Sequence, residues 1–368
     1  MNFYRLFSTF APKRARHVAA ATNAIGHSLF LRRTARRIAL IAGLTAGFAA
    51  HATVCVNSVQ GLRNALSAAQ ANGADDVIHV ARGFYATGGT PFSFDSSETH
   101  ALTIIGGYNS NCSTRVYNPA LTVLDGGGTS LVFGSESTGK VTLRFLTFQG
   151  GSGGGIAGAA LRMNFFDQST GSLVVSQSIV RESGYAAFSL AVWGSATLNF
   201  FDNLVVDNLA DTWTGGPEIY CGGSGAVTVI NNTFANNVVT SADPRVIGGL
   251  VLLGPHTSAA TLSNNIFWGN TNSDLYSASA IMIDNDYGTD SHSPAAGSSG
   301  NHSFDPKFSS SSDYHLLPSS PLLGIGTLTP VGGLPNMDIE GHARTDNGKV
   351  DLGPYERGNE IFADGFDD

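Results

Sequence analysis

Charge is what this sequence has least of. Asp, Glu, Lys and Arg together make up 13% of its 368 residues, about half the usual share in a globular protein. Hydrophobic residues nevertheless reach 42%, which excludes extended disorder and leaves ample material for a large core. Lysine is scarcer still, since past residue 52 only Lys140, Lys307 and Lys349 remain. The 45 glycines follow no three-residue period, so a collagen helix is excluded, and the Ala, Glu, Lys and Leu richness of long helices is missing. Long apolar runs are lacking too: Ile38 to Ala50 falls short of the roughly 20 residues that span a bilayer, and no later run spans one either. Cysteine is limited to Cys55, Cys112 and Cys221, without the close Cys or His spacing of a zinc site. Phosphate loop and HExxH are both absent.

What charge there is lies unevenly. Residues 1–52 hold eight Lys or Arg and no acid, whereas the remainder carries 12 basic against 28 acidic residues, a net charge of −16. Such a field repels nucleic acid and favours cations. The basic stretch through Arg37, the apolar run from Ile38 and the small residues Ala50 and Ala52 around His51 read as an export signal over residues 1–52, with cleavage after Ala52. The mature chain then has no transmembrane segment and is expected at the cell exterior or outer surface, as a monomer. Export permits disulfides. Cys55 and Cys112, 57 residues apart, are expected to be bridged, closing a loop worth about 4 kcal/mol in the chain-entropy view. Cys221, between apolar neighbours in EIYCGG, is expected to be a buried free thiol.

A repeat carries the architecture. VTLRFLTFQGG from Val141, LVVSQSIVRES from Leu173, LNFFDNLVVDN from Leu198, VTVINNTFANN from Val227 and ATLSNNIFWGN from Ala260 superpose without gaps. Their first and third positions are apolar throughout, a later position reads Phe148, Val180, Val205, Phe234, Phe267, and Ser or Asn recurs at Ser178, Asn203, Asn232, Asn265 and at Ser183, Asn208, Asn237, Asn270. Alternating apolar positions are short strands with one buried face. Recurrent Asn marks turns that tolerate the left-handed conformation, and stacked Asn side chains can hydrogen-bond along the stack. Second strands precede four of the units, at AALRM, AAFSLAV, EIYCG and GLVLL, while AIMI from Ala280 begins another coil. Starting 25 to 33 residues apart, the units are too short for βαβ crossovers and shorter than propeller blades. They predict an all-β fold, a right-handed parallel β-helix. Ser58 as N-cap, Val59, Leu62, Leu66 and Ala69 on one face, and Gly73 as a stop predict an N-terminal capping helix.

The opening TVCVNSVQGLRNALSAAQANGADDVIHVARGFY with IIGGYNSNC, and the closing DYHLLPSSPL, DIEG, Arg344 and VDLGPYE, resemble secreted bacterial β-helix proteins of the pectin-lyase-like superfamily, of the choice-of-anchor and polymorphic outer-membrane type. The resemblance covers nearly all of residues 53–356 and implies the fold and an extracellular setting; it implies no particular reaction. The expected organisation is a signal peptide over 1–52, the capped β-helix over 53–300, its closure over 301–356 and an acidic tail over 357–368.

Catalytic candidates are few. A lyase acting on an acidic polysaccharide needs a Lys or Arg base, for which Lys140, Arg144 and Arg181 offer themselves against the alternative of a solubilising rim. A glycoside hydrolase needs two facing carboxylates, for which Asp202, Asp207 and Glu182 compete with ordinary turn residues. No Gly-His-Gly with paired Asp is present. In DNDYGTD, Asp284, Asp286 and Asp290 alternate around Gly288, the way oxygen-rich loops wrap Ca²⁺, although the closing Glu of an EF-hand is missing. The reading that follows is a non-catalytic β-helix presenting a repetitive face to a polysaccharide or surface protein; a polysaccharide lyase or hydrolase on the same solenoid is the alternative.

Overall fold

A computed structural model describes residues 52–152, 159–165, 170–210, 216–277, 279–289 and 295–358. Residues 1–51 of the expected export signal and the acidic tail from residue 359 onward therefore lie outside the described residues, while Ala52, the last residue of that expected signal, opens the first strand.

The chain coils into a parallel β-helix with three flanks. Face A stacks nine strands, from Ala52–Val56 through Lys140–Arg144, Ser172–Ser176, Thr197–Phe201, Val227–Ile230 and Ala260–Ser263 to Ile281–Ile283. Face B stacks eight, from Gly83–Ala86 to Asp286–Tyr287, and face C seven, from Phe92–Ser96 to Leu275–Ser277. Every pairing within them is parallel, and the register is the one the repeat predicts: Val141, Leu173, Leu198, Val227 and Ala260 are successive Cα partners.

Period-two alternation turns one side of each strand inward. Leu143, Val175, Phe200, Val229 and Leu262 fill the core from face A, Phe148, Val180, Val205, Phe234 and Phe267 from face B, all fully buried. Phe234 stacks on Phe267 with ring centroids 5.1 Å apart. Face C adds Leu161, Phe188, Ile219 and Leu250 from the second strands, also buried. AIMI differs from them. Ile281–Ile283 belongs to face A, paired with Thr261–Ser263, and the face C strand of that coil is Leu275–Ser277.

Each coil turns two sharp corners between faces A and B and after B. The left-handed residue at each corner is not the recurrent Asn but its predecessor: Asp202, Asn231, Asn264 and Asp284 at the first, Glu182, Asp207 and Asn236 at the second. The recurrent Asn instead points inward and forms the ladder. Asn203, Asn232, Asn265 and Asn285 each donate Nδ2 to the oxygen of the next, ending on Asn301, at 2.8 to 3.1 Å. A second ladder runs Asn208, Asn237, Asn270, Asp274.

The open N-terminal end of the core is covered by the helix Val59–Ala69, whose Ser58 side chain accepts from Gly61 N at 3.1 Å and whose Leu62, Ala65, Leu66 and Ala69 are buried. It ends at Ala69, with the Gln70 carbonyl taken by Ser96 Oγ on face C, and Gly73 follows at a φ of +71°. Cys55 and Cys112 are bonded and Cys221 is a buried free thiol, pushed up to about 12 by burial. At the other end the chain leaves the coil after His302 and runs back as an irregular strap along the flank of face B. Tyr314 and Ile339 pack there on Ile179, Leu204 and Val206, while Leu316, Leu322 and Leu352 pack on Ile266.

Candidate functional site

Among the described residues, the strap forms a groove in which side chains from the solenoid and from the closing segment converge. Val174, Asn199, Phe201, Thr228 and Ile230 on the outer side of face A form its floor, and Gly332 to Pro335 of the strap form its wall, around a volume of about 250 Å³. Its position follows from the repeat, because these are the outward positions of successive face A strands. Gly332 has a φ of +98°, and a Cβ there would lie 3.1 Å from Thr228 Cγ2, so the wall closes on the floor only with glycine. The Thr228 hydroxyl donates to Asn199 Oδ1 at 2.7 Å. That bond engages the amide oxygen of Asn199, which shares its outward row with the half-buried Phe201. No lining residue is ionisable.

Beneath the wall the strap is anchored by buried charge. Arg344, 1% exposed, donates Nη2 to the carbonyls of Asp351 and Gly353 at 2.9 and 2.7 Å and pairs with Asp202 at 3.5 Å and Glu356 at 3.4 Å. Asn231, with its amide oxygen turned toward the guanidinium, accepts from Nε and Nη2 at 2.8 and 2.7 Å. Asp202 thus sits at a left-handed corner, fully buried, with burial driving its carboxyl well above the usual carboxylate range against the pull of Arg344. Burial likewise raises Glu356 to about 8. A carboxylate sealed in this way reaches no substrate.

The other candidates are also spoken for. Both carboxylate oxygens of Asp207 accept from the Tyr314 hydroxyl at 3.0 Å, on the corner opposite Asp202 across Leu204–Val206. Glu182 occupies the left-handed corner one coil before and approaches Arg181 at 3.7 Å. Arg181 donates to Gln149, and Arg144 to Gln177. Lys140 and Arg144 sit at opposite ends of one five-residue strand, about 13 Å apart at the backbone by the rise of a strand. These residues do not converge on one reacting centre. His315, between Asp313 at 2.5 Å and Glu340 at 3.2 Å, has both ring nitrogens engaged by carboxylates and is raised to about 9, first by Glu340. It is a cation pinning the strap and no free base.

In the acidic loop, Asp284 takes a left-handed corner beside Gly300, while Asp286 is fully buried on face B with Oδ1 accepting from Phe304 N at 2.8 Å. Asp286 Oδ2 has no partner, and its carboxyl is raised to about 6 by burial and then by Asp274 and Asp305. Asp290 lies outside the described residues. Among the described residues no three His, Cys, Asp or Glu are grouped to hold a metal ion.

Sequence reasoning passed over the groove. Its floor was legible as the outward row of the repeat, but the wall comes from residues a hundred positions away. Neither known protein families nor curated proteins give a match to the chain.

Proposed function

We propose that this is a secreted or cell-surface β-helix protein of pectin-lyase-like architecture that binds an uncharged glycan, or an uncharged segment of a surface protein, without transforming it. The observation that carries this reading is the groove between face A and the strap, which offers an aromatic ring, aliphatic walls and a hydrogen-bonded amide but no ionisable side chain. Such a lining suits a sugar ring, whose apolar face packs on Phe201 while a hydroxyl meets Asn199. General acid and base catalysis needs titratable groups within hydrogen-bond reach of substrate, and the carboxylates and guanidiniums nearby are bound to the strap or to neighbouring coils. The net charge of −16 past residue 52 disfavours anionic polysaccharides.

A panel of neutral and acidic plant, algal and bacterial polysaccharides tests the proposal. Retention of a neutral glycan without release of reducing ends or unsaturated products is expected, weakened about tenfold by Phe201→Ala through loss of the stacking surface. Turnover that disappears on changing Lys140, Arg144, Asp202 or Asp207 would establish the lyase or hydrolase instead. Calcium at the Asp284 loop belongs to the same proposal: it requires Asp290 beside Asp284 and Asp286, and the unpartnered Asp286 Oδ2 is the feature in its favour. Calorimetric titration after chelator treatment decides it, and the absence of heat would leave a solvated turn.

A further inference from the structure

The strap does not cover all of face B. It reaches back as far as Gly341, which abuts the Tyr117 side chain. Beyond that point the outer surface of the first coils is open, with Phe84 62%, Tyr117 43% and Leu121 38% exposed. The patch is continuous, since Phe84 is the Cα partner of Val123 and the turn Pro119–Leu121 leads into that strand. Contiguous exposed apolar surface in a soluble protein marks a contact surface.

The same patch carries positive charge. Arg82 is exposed two residues before Phe84, on the same outward side of the strand, and Arg115 is bridged to Tyr108. The Arg115 guanidinium lies over the rings of Tyr117 at 4.5 Å and Phe145 at 4.2 Å, and its buried Nε has no hydrogen-bond partner. Among the described residues neither Arg82 nor Arg115 has a carboxylate partner. In a chain with 12 basic and 28 acidic residues past position 52, two unanswered guanidiniums beside exposed aromatics call for an occupant that is both acidic and aromatic.

The chain supplies such an occupant. Residues 359–368 read NEIFADGFDD, with Phe362 and Phe366 among four acids and no base. They continue from the strap: Glu356 N donates to Asp338 Oδ2 at 2.9 Å, three residues before Gly341, which meets Tyr117, while Arg357 Nη1 donates to the Leu316 carbonyl at 3.1 Å. Ten residues reach about 33 Å when extended, and a tether of this length holds its end at roughly millimolar effective concentration, ahead of a second copy at micromolar protein.

We propose that the acidic segment 359–368 docks on this surface, setting Phe362 and Phe366 on Phe84, Tyr117 and Leu121 and its carboxylates against Arg82 and Arg115. Hydroxyl-radical labelling of Phe84 and Tyr117 in the full chain, in a chain ending at Gly358 and in the Phe362→Ala, Phe366→Ala double variant tests this. Labelling should rise severalfold in both variants while slow amide exchange along the Asn ladder stays unchanged. A synthetic peptide of residues 359–368 at millimolar concentration should restore protection to the shortened chain, and fail to do so when Arg82→Glu is introduced or when its acids are replaced by amides. Equal labelling with and without the segment would overturn the proposal. So would protection that grows with protein concentration alongside a dimer in sedimentation, which would assign the patch to a second copy.

Discussion

Arg344 is a guanidinium sealed inside the protein, so each of its donors has to be answered there. Nη2 and Nε are answered by the carbonyls of Asp351 and Gly353 and by the Asn231 amide, from strap and solenoid alike, whereas Nη1 makes no hydrogen bond and has only the ion pair with Asp202 at 3.5 Å. Removing it strands two carboxylates in the interior. Arg344→Ala is expected to cost about 3–5 kcal/mol, the usual consequence of leaving a buried charge unpaired, and to release the strap before the coil melts. Urea denaturation followed by Trp268 fluorescence measures this, since Trp268 packs with the strap residues Leu316 and Leu352. Asp202→Asn keeps the shape and removes a carboxylate that burial already disfavours, so it should cost distinctly less. Equal losses for the two variants would show that the guanidinium is not the keystone. Arg344 was visible in the sequence as part of the closing motif, but its burial partner was not, because Asp202 reads as an ordinary turn residue and lies far away along the chain.

Within the elements, local chemistry was the legible part. The five repeat segments fell into their true register because inward apolar alternation and corner Asn are both set within a few residues. AIMI begins another coil as its face A strand, because the stretch between the partners Thr261 and Ile281 is short and its face C strand is only the three residues Leu275–Ser277. Asn chemistry was read correctly as a ladder and placed one residue late as a left-handed turn, because neighbouring positions 231 and 232, or 236 and 237, are both Asn. The two roles separate under mutation. Asn232 donates to the Phe200 and Ile230 carbonyls and to Asn265, and accepts from Asn203. Asn232→Ala therefore orphans several buried groups and is expected to cost about 2–4 kcal/mol. Asn236→Gly, at a φ of +54°, keeps a backbone that glycine adopts freely and should lose only its bond to Tyr314, about 1 kcal/mol. Chemical denaturation of the pair measures the difference, and a larger loss at Asn236 would reverse the roles.

On the scale of the whole molecule the strap is the element that pH should move. Its contacts join residues more than a hundred positions apart, such as Tyr314 with Asp207 and Gln177 with Met337, so nothing local in the sequence placed it on face B. Burial raises Glu356 from 4.5 to about 8, and the hydrogen bond to Glu340, then Asp313, raises His315 from 6.5 to about 9. A group raised in the folded state contributes its full stability below the unfolded value and loses it as pH climbs through the folded one. Docking should therefore weaken between about 4.5 and 8 through Glu356, and between about 6.5 and 9 through His315. Asp313 and Glu340 are lowered in the folded state by His315, and their contribution is lost in the opposite direction, as pH falls below the carboxylate range. The strap should accordingly hold best in mildly acidic solution. Hydrogen exchange of residues 313–316 and 337–356 at pH 5.5, 7.5 and 9.5, corrected for the intrinsic rate, should show protection falling at each step. Glu356→Gln should flatten the first step and His315→Gln the second, with the coil ladders unaffected in both. Protection that grows from pH 5.5 to 9.5 would mean that the ion pairs of Arg344, and not the burial of Glu356, govern how the strap is held.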